Sequence, residues 1–114
     1  MIESKYLSID NYVEYRDVHI KVDAIFIDKI SAIFENNICF IQLQDIYPIE
    51  LKSEMLLFNG FKKLGKYTYI KNGIFIQKRL THYSIGSGKQ KIIINYFHQL
   101  QNTLKIINGS ELTL

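Results

Sequence analysis

The residues best suited to chemistry lie near the C-terminus, in the stretch "IINYFHQLQN" at positions 93–102. Gln101 and Asn102 follow His98 by three and four residues, which places the three side chains on one side of a helix. One hypothesis is a structural polar cluster, whose side chains bond to backbone that would otherwise be buried without a partner. The other is a polar face presented to a protein partner. We favour the structural cluster.

Other candidates for catalysis lack the arrangement that catalysis needs. No two of His19, His82 and His98 lie three or four residues apart, so the spacing does not indicate a metal site. The segment "GSGK" resembles a phosphate-binding loop only in its last two residues. That motif needs glycine where Tyr83 stands and serine or threonine where Gln90 stands. Serines and carboxylates lack an identifiable third, orienting group. We therefore expect no metal, no cofactor and no enzymatic activity.

Charge is distributed unevenly along the chain. The formal net charge is +3, but the first 57 residues contain ten acids and five bases. The remaining residues contain nine bases and one acid, with no acid between Met55 and Ser110. A basic segment of this kind can meet phosphate or an acidic partner. Alternatively, the acidic half folds over the basic half and neutralises it, and the sequence leaves both possibilities open.

Basic residues in the second half are interleaved with the aromatic residues Tyr67, Tyr69, Phe75 and Tyr83. Basic groups on phosphate and aromatic rings on bases can together hold single-stranded RNA. Only two of the fourteen bases are arginine, and lysine lacks the planar fork that reads base edges. We therefore expect contact without sequence specificity. The candidate partner- or RNA-binding residues are Lys62, Lys63, Lys66, Lys71, Lys78, Arg79, Lys89 and Lys91.

The elements that must position these residues begin with strands. Residues 11–16 and 18–30 alternate between two sets of side chains with a period of two, as half-buried strands do. A turn signal at 35–37 precedes a third, mostly apolar strand at 38–46. Pro48 then ends the run of strands.

The second half combines helices and strands. A helix at 51–61 is predicted to end at Gly60, with Phe61 folding back on its last turn. Strands at 66–71, 74–79 and 82–85 follow, with a hairpin turn at 71–73. After two glycines that turn the chain, a helix at 91–108 is stopped by Gly109. The pattern predicts an α+β fold: a mostly antiparallel sheet of about six strands with two helices (β-β-β-α-β-β-β-α), in a single layer on the sheet.

Length and composition indicate one domain covering residues 1–114. The single cysteine, Cys39, excludes an internal disulfide. No apolar run approaches the ~18 residues of a membrane span. The opening residues "MIESKYLSID" lack the charged and apolar regions of a signal peptide. We therefore expect a cytoplasmic protein that does not contact membrane.

Two segments resemble a family of small proteins carried by phages and mobile elements of the Bacteroidetes. They are "PIELKSEMLLFNGF" at 48–61 and "NYFHQLQNTLKIINGSEL" at 95–112. The first departs from the family at Lys52, where serine or threonine would cap the helix, so we assign the cap to Ser53. The second follows the pattern Y-x-H-x-L-Q-N and then G-x-E-L. Its matching residues are Tyr96, His98, Leu100, Gln101, Asn102, Gly109, Glu111 and Leu112.

The resemblance implies a function. Small phage-carried proteins similar to this one include antagonists of host defence, among them an anti-CRISPR class directed at the RNA-guided RNase of type VI-B systems. The implied protein is a non-enzymatic inhibitor in the host cytoplasm that binds the CRISPR effector nuclease. It would block the nuclease by disturbing the binding of guide RNA. The alternative hypothesis is a nucleic-acid-binding accessory protein of a mobile element, and a small nuclease or hydrolase ranks third.

Overall fold

The computed structural model describes residues 1–87 and 90–114, and within them the chain forms nine β-strands and two α-helices. The predicted α+β class is confirmed, with antiparallel strands, but the strands form two sheets instead of one sheet of about six. The chain divides into two compact units. Unit 1 comprises Met1–Ile49 and Tyr96–Glu111, and unit 2 comprises Glu50–Asn95 and Leu112–Leu114. The assignment of residues 1–114 to a single domain stays a prediction.

Unit 1 contains a four-stranded sheet in the order β1-β2-β3-β4. Two-residue turns join β1 to β2 at 16–17 and β3 to β4 at 35–36. All four turn residues have positive φ, between 48° and 66°. Such turns match the right-handed twist of the strands they connect. The strands are β1 (Tyr12–Tyr15), β2 (Val18–Ile25), β3 (Lys29–Phe34) and β4 (Asn37–Gln42).

The prediction of one continuous strand at 18–30 is wrong, because the structure interrupts it between Ile25 and Lys29. The chain reverses at Ile27 and Asp28, where the backbone N–H of Phe26 donates to the carbonyl oxygen of Lys29 at 2.8 Å. The segment contains neither glycine nor proline, and Asp28 is the only turn-favouring residue at the reversal, so the turn signal in the sequence is weak. One predicted strand therefore becomes β2 and β3.

The core of unit 1 combines its sheet with helix α2 (Phe97–Asn108). The rings of Tyr12 and Phe97 meet edge to face, with centroids 6.1 Å apart. Burial of each large apolar side chain contributes about 1.5–3 kcal/mol. The buried members include Val13, Val22, Ile30, Ile46, Phe97, Leu100 and Leu104.

Unit 2 contains helix α1 (Ser53–Phe58) and a five-stranded sheet in chain order, with every neighbouring pair antiparallel. The expected hairpin turn is present at 72–73, where both residues have positive φ. The strands are β5 (Lys62–Lys63), β6 (Thr68–Lys71), β7 (Ile74–Lys78), β8 (Tyr83–Ser87) and β9 (Gln90–Ile94).

The predicted helix at 91–108 begins too early. Residues 91–94 belong to β9, which pairs with β8, and helix α2 begins only at Phe97. Three consecutive isoleucines at 92–94 are β-branched and favour a strand over a helix. The expectation that "GSGK" turns the chain into a helix was therefore wrong as well. Gly88 and Lys89 themselves lie outside the described residues.

Both helices end as expected, at glycines in the left-handed region. Gly60 has φ 89° and Gly109 has φ 71°. After α1, the backbone N–H of Phe61 donates to the carbonyl oxygen of Leu56 at 3.0 Å, and the Phe61 side chain is buried. Within residues 1–87 and 90–114, the helices are too short and too polar to cross a membrane.

Candidate nucleic-acid interface

The positive charge of the protein is concentrated in unit 2. This unit contains nine basic and two acidic side chains, a balance of +7, whereas unit 1 contains five basic and nine acidic side chains, a balance of −4. Two exposed ion pairs, Lys5–Glu3 and Lys21–Asp10, both lie in unit 1. Over the part of the chain that the structure describes, no lysine or arginine of unit 2 forms an ion pair. Unit 2 therefore does not neutralise its own charge.

Side chains alternate between the two faces of the five-stranded sheet. The face that contains Ile76 is mostly buried, although its Ile92 is 49% exposed, and the other face is mostly half-buried or exposed, although its Ser84 is 4% exposed. Tyr69, Ile76 and Ile85 lie opposite one another on the buried face and are at most 4% exposed. The register places a second row of residues on the other side, one from each strand. That row, together with Gln77 of β7, is called the open face below. Its members in order from β5 to β9 are Lys62, Ile70, Phe75, Gly86 and Lys91.

The open face has exposed lysines at both ends and an exposed aromatic ring at its centre. Lys62 and Lys91 are exposed, Ile70 is half-buried, and Phe75 is 41% exposed. Phe75 lies two strands from either lysine, which separates its Cα atom from theirs by about 10 Å each. The two lysines are 29 positions apart in the sequence and share one surface only because of the strand register.

Three other candidate lysines lie on the opposite side of the sheet. The register places Lys63, Lys71 and Lys78 in line with the buried-face residues. Lys71 has a structural role, because its Nζ atom donates to the carbonyl oxygen of Asn59 at 2.5 Å at the end of α1. The ammonium group also lies 5.7 Å from the centre of the Phe61 ring. The eight candidates therefore do not form one cluster.

Of the remaining candidates, Arg79 adds to the open face and Lys66 does not. The Arg79 Nη2 atom donates to the Gln77 Oε1 atom at 2.5 Å, and this contact draws the guanidinium group toward the open face. Lys66 is exposed in the loop between β5 and β6, with its ammonium group 5.4 Å from the centre of the Tyr67 ring. Lys89 lies outside the described residues.

The structure separates the four interleaved aromatic residues into two pairs. Tyr69 and Tyr83 are only 2% and 7% exposed, so they belong to the core of unit 2. Phe75 and Tyr67 are 41% and 54% exposed. Of these four rings, only those of Phe75 and Tyr67 can receive a nucleic-acid base without rearrangement of the core.

A polar cavity of about 340 Å³ in unit 2 provides a second place to look for chemistry. Its lining includes Ser53, His82 and Tyr83, together with acidic and basic side chains. The Ser53 Oγ atom lies 3.1 Å from the Tyr83 Oη atom, and the His82 Nδ1 atom lies 3.2 Å from the Thr81 Oγ1 atom. Neither of these two contacts joins the histidine to the serine. Ser53 is also the residue to which the sequence assigned the cap of α1. That prediction was wrong, because the N-cap residue is Lys52 and its side chain makes no cap hydrogen bond.

Gln101 and Asn102 of α2 bond to the segment that leads into β1. The Gln101 Oε1 atom accepts from the backbone N–H of Tyr12 at 2.8 Å, and its Nε2 atom donates to the carbonyl oxygen of Asp10 at 3.0 Å. The Asn102 Oδ1 atom accepts from Asn11 Nδ2 at 2.8 Å. Both side chains thus join the helix to residues some 90 positions earlier.

His98 is the most buried of the three polar-cluster residues, at 4% exposed. Its Nδ1 atom is buried and has no hydrogen-bond partner within residues 1–87 and 90–114. The ring stacks on that of Tyr96, with centroids 6.1 Å apart. Burial lowers the pKa of His98, because desolvation penalises the charged imidazolium.

No protein-family model, curated protein or solved structure matches this chain. Sequence reasoning missed Gln77 and Gly86 as parts of the candidate interface. The period-two pattern contained part of the signal, because it places Phe75 and Gln77 on one side of β7 and Ile76 on the other. Only the register shows that Gly86 lies opposite Phe75.

Proposed function

We propose that this protein is a non-enzymatic, phage-derived inhibitor that binds a host CRISPR effector ribonucleoprotein, an RNA-guided RNase, and blocks its activity. The observation that carries the proposal is unit 2, with a charge balance of +7 and lysines at both ends of an exposed sheet face. Such a surface is complementary to the phosphates of a guide RNA. The class of target comes from the sequence resemblance.

In this proposal unit 2 approaches the guide RNA and disturbs its binding to the nuclease. Positive charge accelerates the encounter and strengthens contact with phosphate, both in a salt-dependent way. The effect requires no reaction by the inhibitor.

The test is inhibition of a purified effector loaded with guide RNA, measured as cleavage of a fluorescent reporter RNA. Inhibition should saturate at a fixed ratio of protein to effector and should weaken in the double variant K62E/K91E. The control is K5E/K105E, which makes the same change of net charge in unit 1. If K62E/K91E inhibits as well as the unchanged protein, the open face is not the site. If no effector complex is inhibited, the proposed function fails.

The second candidate function is a nucleic-acid-binding accessory protein of a mobile element. The observation that favours it is the exposed Phe75 ring, since an aromatic ring beside cations can bind RNA without any protein target. Binding to RNA alone through several phosphates should fall steeply with salt. Docking to the protein part of an effector should depend on salt much less. A host-lysate pulldown that recovers RNA without an effector would support this candidate over the first.

A further inference from the structure

We infer that the open face of unit 2 is a single-stranded RNA site in which the Phe75 ring stacks on a base while Lys62, Arg79 and Lys91 bind the flanking phosphates. The identification of this RNA with a guide RNA rests on the proposed function. The site itself rests on the register, exposure and charge of the five-stranded sheet.

The surroundings of Phe75 suit a stacking platform. The residue lies at the centre of the sheet, with Ile70 opposite it on one side and Gly86 on the other. Gly86 has no side chain, so the residue directly across from Phe75 on β8 does not itself cover the ring. Within residues 1–87 and 90–114, Phe75 makes no ring–ring or cation–ring contact. Base stacking on such a ring is tolerant of sequence, because every base has a π-face.

The cations around Phe75 are placed to bind the backbone on either side of a stacked base. Lys62 and Lys91 lie two strands away in opposite directions, about 10 Å each between Cα atoms. Arg79 reaches the same side of the sheet through Gln77. No acid occurs in the described strands of this sheet, since Glu50 and Glu54 both precede it in the chain. The face is therefore complementary to a polyanion along its whole width.

The combination of ring and charge favours single-stranded RNA over the alternatives. An acidic peptide would pair with the lysines, whereas stacking on the flat ring is a contact that every nucleic-acid base can make. Duplex RNA keeps its bases stacked and offers no base to Phe75. Thr68 and Gln77, paired directly across β6 and β7, offer a hydroxyl and an amide to the 2′-hydroxyl that distinguishes RNA from DNA.

The experiment is fluorescence polarisation with a labelled mixed-sequence RNA of about ten nucleotides, within the usual range of single-strand sites. Phe75→Leu should weaken binding about tenfold or more, since loss of stacking on one base has an effect of this order. Lys62→Ala and Lys91→Ala should each reduce the slope of log affinity against log salt by about 0.7. Matched controls in unit 1 are Phe40→Leu, at an aromatic residue that is 62% exposed, and Lys105→Ala. Both controls should leave affinity unchanged, and circular dichroism confirms that each variant folds.

Several results would overturn the inference. If Phe75→Leu binds the RNA as tightly as the unchanged protein, Phe75 does not stack on a base. If duplex RNA, or DNA of the same sequence, binds as tightly as the single-stranded RNA, the site is not specific for single-stranded RNA. Equally strong competition by polyglutamate would identify a protein-binding surface instead.

The same variants separate this inference from the proposed function. If Phe75→Leu loses RNA binding but inhibits the effector normally, the RNA site stands and the proposed use of it fails. If inhibition requires Lys62 and Lys91 while isolated RNA does not bind, the proposed function stands and the RNA site is wrong.

Discussion

Replacement of Gln101 by leucine should destabilise unit 1 strongly, although the two side chains have similar size. The side chain is 8% exposed and bonds to the backbone of Tyr12 and Asp10 at 2.8 and 3.0 Å. Each such bond contributes about 1 kcal/mol net, and each polar group left buried without a partner costs about 1–3 kcal/mol. Because water can reach part of the site, we expect the free energy of unfolding to fall by about 2–4 kcal/mol. That is a large share of the 5–15 kcal/mol typical of whole domains.

The assay is equilibrium unfolding in urea, followed by circular dichroism. With an m-value of about 2 kcal/mol per molar urea, the midpoint should fall by about 1–2 M. Gln101→Glu should lie between the two proteins, because a carboxylate still accepts from Tyr12 but cannot donate to Asp10. The control on the same helix is Ile106→Ala, at a side chain that is 86% exposed, and it should change the free energy by less than about 0.5 kcal/mol. If Gln101→Leu changes it as little as this control, the two bonds do not hold α2 in place.

Three further predictions concern the same unit. Asn102→Ala removes the bond from Asn11 and the 3.3 Å bond to the carbonyl oxygen of Tyr6, and should lower the free energy of unfolding by about 1–2 kcal/mol in the urea assay; an unchanged midpoint would show that water replaces both bonds. Burial lowers the pKa of His98 in the folded protein, so as the pH falls the imidazole is protonated in the unfolded chain before it is protonated in the folded one. The free energy of unfolding should therefore be unaffected by His98 above about pH 6.5 and should fall as the pH is lowered from there toward the folded-state pKa. Melting temperatures from pH 7.5 to 5 should show a smaller decline in His98→Phe, and an equal decline would assign the effect to other groups. Gly109→Ala should cost about 1–2 kcal/mol through its φ of 71° alone, because an added Cβ meets no atom within 4 Å; Gly109→Asn should cost less, and equal losses in the two variants would contradict the backbone explanation.

Features determined by short stretches of sequence could be predicted well. The turns predicted at 35–37 and 71–73 rest on asparagine and glycine, which tolerate positive φ. The structure has positive φ at Asn36, Asn72 and Gly73, and also at Glu35. Gly60 and Gly109 end their helices for the same reason. Alternating and helical periods together were enough to predict the α+β class. The reversal at Ile27 and Asp28 was missed because Asp28, a residue type that favours turns, directly follows the strand-favouring residues Ile25, Phe26 and Ile27.

The candidate site could be predicted in composition but not in arrangement. The sequence by itself determined that the second half is basic and rich in aromatic residues, because charge and residue type are local properties. It could not determine that Lys62 and Lys91 share a surface with Phe75 while Lys63 and Lys71 lie on the other side. That division depends on strand register and on which face packs against the core, since a shift of one residue would move every side chain to the opposite face. Both are decided by contacts between segments far apart in the chain, so only the tertiary structure could show them.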